Sequence, residues 1–232
     1  MNTDICSAIA QSTQQEWSRP SSFVGSGHDV RSSQNGLLAV FFGSLERAAH
    51  FGWLNAGRTL VDKTYISILW QATELPSIGY DFTKMASDLD AFVRAELEPL
   101  WGDFEQLSHD EKHERAITLI EKAAETVFGS GYHEQCAAWL LFYLCPQLPV
   151  FPINDTLRKN IAERLHLEVP ADDYRTYHQL CRQLYSRMLP TIHTNTPDAA
   201  YGSDRDRTNI DQVLRASDWW QRHCFVKQLG NH

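Results

Sequence analysis

The chain has 232 residues, 43% of them hydrophobic and 22% charged, and carries seven Trp. Its 21 Lys and Arg against 29 Asp and Glu leave a formal charge of -8. This composition excludes a chain disordered along its whole length, and an acidic balance argues against tight, non-specific binding to phosphate backbones. No run of roughly 18 uncharged apolar residues occurs, so no transmembrane helix and no membrane partner are expected. The opening MNTDICSAIAQSTQQEWSRP lacks a basic stretch followed by an apolar one, so no secretory leader is expected.

Residues 1–36 are rich in Ser, Gln and Gly and are expected to be irregular. From residue 37 to 232 the chain reads as one helical domain. Leu37 to Phe51 forms a short apolar helix. Arg58 to Glu74 forms a second, with Leu60, Thr64, Ile68 and Gln71 at helical spacing, ending before Pro76. Asp81 caps a third that carries Met85, Leu89, Phe92 and Val93, with Leu97 one turn on. Pro99 suits the first position of a short segment.

Ser108-His-Asp-Glu111 is a capping box. Ile117, Ile120, Ala124, Val127 and Phe128 follow at intervals that fit one helix face. Gly129 stands where a helix end favours a left-handed residue. The segment His133 to Leu144 is apolar nearly all round and predicts a buried helix. Pro146, Pro149 and Pro152 end it, and a new helix starts near Asp155 or Thr156. Asp172 or Asp173 caps the next helix, which Pro190 stops. Leu189 to Asn209 is a polar loop, and a last helix from about Ile210 carries ASDWWQRHCF. No alternating strand pattern appears, so the fold class is all-α.

Cys6, Cys136, Cys145, Cys181 and Cys224 are odd in number, and no pair has C-x2-C spacing. Reduced, buried thiols in a cytoplasmic protein are the expectation, and no metal site or cofactor is expected. His109 and His113 read as two surface residues of a first helical turn. The charge is not spread evenly. Glu74 to Glu111 holds ten acids and two bases, the whole of the -8 balance, while the remainder sums to zero.

The stretch VFGSGYHEQCAAWLLFYLCPQLPVFPINDTLRK, Val127 to Lys159, carries the chemical signal. It joins an amphipathic helix, a G-x-G hairpin, a buried helix, a proline-rich turn and an acid at a helix start. Successive glycine N–H groups at Gly129 and Gly131 can cradle a phosphate, or the pair can serve as an ordinary helix cap. Asp155 can likewise be a helix N-cap or a working carboxylate.

In this order of parts the chain resembles the helix-hairpin-helix DNA-glycosylase superfamily, and most closely its bacterial 8-oxoguanine-glycosylase-like (OGG-fold) branch. Gly129-Ser-Gly131 matches the hairpin, Phe151-Pro-Ile-Asn-Asp155 the aspartate turn, and Arg207-Thr-Asn-Ile-Asp-Gln-Val-Leu the last helix. The resemblance implies a helix-hairpin-helix at about 109–145 and a catalytic role for Asp155. Family members with lyase activity use a lysine after the hairpin as nucleophile. By the hairpin alignment His133 stands there. Counting back from Asp155 lands near Cys136, and no lysine lies between Lys122 and Lys159. Lyase activity is therefore not expected. The resemblance also implies a base pocket built from Cys136 and Trp139 on the buried helix and from Trp219, Trp220 and Phe225 on the last. Arg158 and Lys159 are candidates for backbone contact. At helical spacing the aromatic residues also read as ordinary core.

Small OGG-fold proteins of this kind resemble components of CBASS-type anti-phage operons. That implies recognition of a modified purine or deazaguanine base, carried on nucleic acid or on a partner protein, alongside other defence-operon proteins. A single-function DNA N-glycosylase using Asp155 is the second reading. A non-catalytic interaction subunit, with Glu74 to Glu111 facing a protein partner, is the third.

Overall fold

A computed structural model describes residues 61–72, 81–100, 103–129, 133–145, 147–166, 173–194 and 218–230. All the regular structure among them is helical. The expectations for residues 1–36, for a helix from Leu37 to Phe51 and for the loop beyond Thr194 lie outside the described residues. Chain contacts divide at Pro152 into two compact units, Gly36–Pro152 and one that includes Ile153–His232.

The unit Gly36–Pro152 contains α1 (Lys63–Ala72), α2 (Phe82–Phe92), α3 (His109–Thr126) and α4 (Glu134–Leu144). Among the described side chains of α1, Ile66 and Trp70 are buried, with Val61 just before the helix, while Thr64 is exposed. Of the expected register, Thr64 thus faces outward, and Leu60, Ile68 and Gln71 lie outside the described side chains. The Trp70 ring packs 5.4 Å from Phe82 and 6.2 Å from Phe128.

Asp81 caps α2 as expected, its carboxylate accepting from the Thr83 and Lys84 N–H groups. The buried face of α2 runs Met85, Leu89 and Phe92 and continues through Val93 and Leu97. Val93–Leu97 is a π-helical turn, closed by the Glu98 N–H donating to the Val93 carbonyl. A 3-10 turn, Glu98–Leu100, follows directly. Glu96 on the π turn pairs with Lys122 of α3 at 2.5 Å.

α3 begins with the full capping box. Glu111 N–H donates to the Ser108 hydroxyl, and the Ser108 N–H donates to the Glu111 carboxylate at 2.8 Å. Those bonds hold the Glu111 carboxyl below the usual carboxylate range. Ile117, Ile120, Ala124, Val127 and Phe128 are all buried. His113 is buried as well, at 4% exposure, and only His109 is a surface residue. Position 113 lies one turn before Ala116 and Ile117, so helix geometry puts it on the inward face.

α4 is apolar on every side, and Cys136 through Leu144 are all buried. The chain then runs through buried Leu148, Val150, Phe151 and Ile153 without regular structure.

The unit that includes Ile153–His232 contains α5 (Asp155–Leu165), α6 (Tyr174–Thr194) and α7 (Asp218–Gly230). α5 packs on both α6 and α7. Asn160 on α5 donates its side-chain N–H to the Leu229 carbonyl at 2.5 Å. Asp173 caps α6 through the Thr176 N–H and hydroxyl. Contrary to the expected stop at Pro190, α6 continues to Thr194. A proline deletes one backbone donor, and so near the helix end few intrahelical bonds are at stake. The last helix begins at Asp218 among the described residues.

Candidate functional site

The aspartate at the start of α5 is presented to solvent by its neighbour. Asn154, in an extended conformation, is the N-cap, and its side-chain oxygen accepts from the Leu157 N–H at 2.8 Å. Asp155 is the first helical residue, not the cap. Its side chain is 80% exposed and accepts a hydrogen bond from Arg158 at 3.3 Å. An exposed pair of this spacing contributes only about 0.2–0.5 kcal/mol. The backbone turn, more than the ion pair, therefore sets where the carboxylate stands. Lys159 is exposed on the same helix. The site thus offers one anion with two cations within a turn, next to the electropositive start of a helix.

At the hairpin, Gly129 has φ of +80°. A Cβ added there would meet nothing within 4 Å, so the requirement for glycine is conformational and not steric. Its N–H donates to the Glu125 carbonyl at 3.1 Å. That donor is spent on closing α3, which is the helix-cap role and leaves it unavailable to a phosphate. Gly131 lies outside the described residues. His133 sits at the N-cap position of α4, half-buried, with its ring 6.3 Å from Phe128 across the hairpin.

The residues expected to hold a base are core side chains. Cys136 is 2% exposed and Trp139 5%. Trp139 stacks on Tyr143 at 5.9 Å and meets Phe142 edge-on at 6.2 Å. Trp219 and Phe225 are 1% and 0% exposed. As placed, none of these four presents a ring or thiol to solvent, and contact with a base would require the core to open. Trp220 lies on α7, and its side chain is outside the description. Packing of α5 against α7 puts the helix of Asp155, Arg158 and Lys159 beside the helix of Trp219, Trp220 and Phe225. Gly129, Gly131, His133, Cys136 and Trp139 belong to the other unit.

A buried polar seam lines the facing sides of α6 and α7. Arg222 is 2% exposed and pairs with Asp218. The Tyr185 hydroxyl donates to Asp218 at 3.0 Å and contacts Gln221 at 3.4 Å. Tyr174 meets His178 Nδ1 at 3.2 Å. Burial pulls the Arg222 guanidinium down to about 10, against the raising influence of Tyr185 and Tyr174. Burial likewise pushes the Tyr177 hydroxyl well above its ordinary 10.0. It pushes the Cys181 thiol up too, although the hydrogen bond with Tyr177 opposes it. A thiol so placed stays protonated and is no nucleophile. The signal was present in the spacing of Tyr174, Tyr177, His178, Cys181 and Tyr185, which repeats at three and four.

Cys136, Cys145 and Cys181 are buried and lie outside any disulfide. Among the described residues no group of three or more His, Cys, Asp or Glu could hold a metal ion. No described helix is long and apolar enough to cross a membrane. Comparison with protein-family models, curated proteins and solved structures finds no match.

Proposed function

We propose that the chain is a nucleobase-recognition protein of the helix-hairpin-helix glycosylase type. Its ligand is a modified purine or a deazaguanine, and it acts without lyase chemistry. The single observation that carries this reading is Asp155: a solvent-facing carboxylate on the first turn of α5, with Arg158 and Lys159 beside it. Asn154 performs the capping, so the carboxylate is left for other work. The order of parts before it supports the same reading: an amphipathic helix, a left-handed Gly129, an apolar helix and a proline-rich turn. A Schiff-base mechanism needs an amine, and no lysine lies between Lys122 and Lys159. A setting in anti-phage defence follows from the family resemblance alone. Equilibrium titration with guanine, 8-oxoguanine and 7-deazaguanine tests the proposal, and absence of affinity for all three rejects it.

Exposure of the Asp155 carboxylate also favours a second reading, a single-function N-glycosylase in which it stabilises cationic character at the sugar or orients a water. Lesion-containing DNA incubated with wild type and Asp155→Asn separates the two. Base release by wild type alone supports the enzyme, and equal background release by both rejects it.

A further inference from the structure

His109 and His113 sit one turn apart at the start of α3, and their Nε2 atoms approach to 3.2 Å. The rings lie edge to face, with centroids 4.5 Å apart and planes at 75°. Two imidazole nitrogens bound to one tetrahedral Zn2+ at about 2.0–2.1 Å stand about 3.3 Å apart. The pair is therefore already set at the bite of a chelate. We infer that His109 and His113 form a two-histidine site for a borderline divalent metal ion, Zn2+, Ni2+ or Cu2+.

Three features of the site favour this. The spacing of four residues on a helix anchored by the Ser108–Glu111 box holds the two rings in place before any ion arrives. His113 is buried and His109 exposed, so an ion enters from the His109 side and settles against an immobilised ring. The last torsion of a histidine side chain is broad, so the exposed His109 ring can turn its lone pair toward an ion held against His113 without leaving its rotamer. Without metal, one Nε2–H donates to the other Nε2. Binding calls for the donor ring to carry its proton on Nδ1 instead, so that two neutral imidazoles ligate through Nε2. The proposed site consists of the two imidazoles, and among the described residues no group of three or more His, Cys, Asp or Glu could hold an ion. Imidazole selects these ions over Mg2+ or Ca2+, which prefer oxygen. The positive end of the helix opposes a cation, and the acidic side chains of Asp110 and Glu111 in the same turn offset it.

Zn2+ is titrated into the full chain, with the imidazole nitrogens followed by long-range 1H–15N correlation. The ring signals of His109 and His113 are expected to shift together and to saturate at one ion. His109→Gln is the decisive variant, since His109 is exposed and its loss leaves the core intact. Loss of a mere outer-shell partner costs about 10–100-fold in metal affinity, so removing one of two ligands should weaken binding at this position at least about tenfold. Unmoved His109 and His113 signals, or the same His113 response in His109→Gln, would overturn the inference and leave a simple histidine–histidine hydrogen bond.

Discussion

Arg222 and Asp218 form a one-turn ion pair in which the cation is 2% exposed and the anion 61%. The cost of desolvating the guanidinium is therefore met largely by one carboxylate and by the polar seam around it. Removing one partner of a buried pair strands the other, whereas replacing the ion by an apolar group of similar volume is often tolerated. Asp218→Asn should accordingly destabilise the chain by about 1–3 kcal/mol, and Arg222→Met by less. Urea denaturation of both variants checks the order. A larger loss in Arg222→Met would show that the guanidinium contributes net stability.

The same seam sets an alkaline limit. The folded-state Cys181 thiol is raised above its ordinary 9.0, so its contribution is fully present below pH 9 and is lost as pH rises beyond it. Tyr177 adds a loss of the same sign above pH 10. Arg222 runs the other way: its folded value of about 10 lies below the ordinary guanidinium range, so it returns stability as pH rises beyond about 10. Between pH 9 and 10 Cys181 dominates the seam. Cys181→Ala should remove a fall of up to about 1.4 kcal/mol per pH unit in that window. The slope of unfolding free energy against pH, rather than its absolute value, is the readout, since the variant also loses core volume. An unchanged slope would count against the assignment.

Asn154, and not Asp155, caps α5. Asn154→Ala should cost about 1 kcal/mol, while Asp155→Asn should stay within about 0.5 kcal/mol of wild type. Thermal unfolding of the two variants discriminates the roles. A reversed order would make Asp155 a structural residue and remove the basis for its functional reading.

Gly129→Ala should cost about 1–2 kcal/mol, the penalty of a side chain in the left-handed region, and nothing for steric clash, because the added Cβ has open space. Gly129→Asn should recover part of that, since Asn tolerates the conformation better. Equal stability of Gly129→Ala and wild type would refute the turn geometry.

Local signals in the chain were legible where backbone chemistry decides. The Asp81 and Asp173 caps, the Ser108–Glu111 box and the all-apolar α4 each depend on residues within one or two turns, and each stands as expected. The place of His113 beside the capping box in a first helical turn suggests a surface residue, while its spacing to Ala116 and Ile117 puts it inward. Asn154 and Asp155 are both good caps, and only the register of the turn before them separates the two. The burial of Arg222 and the Asn160–Leu229 hydrogen bond depend on how α5, α6 and α7 come together. That information lies in no single segment. For the candidate site, the position of Asp155 at a helix start was readable. The deep burial of Cys136, Trp139, Trp219 and Phe225 was foreshadowed by their spacing but outweighed by the family resemblance.

The most direct measurement is equilibrium titration of wild type and Asp155→Asn with 8-oxoguanine and 7-deazaguanine, read by calorimetry. Nucleobase recognition centred on α5 predicts saturable binding of at least one base by wild type, weakened about tenfold or more in the variant, as expected for loss of a charged hydrogen-bond partner worth about 1.5–3 kcal/mol. No binding of either base, or binding indifferent to Asp155, would contradict it.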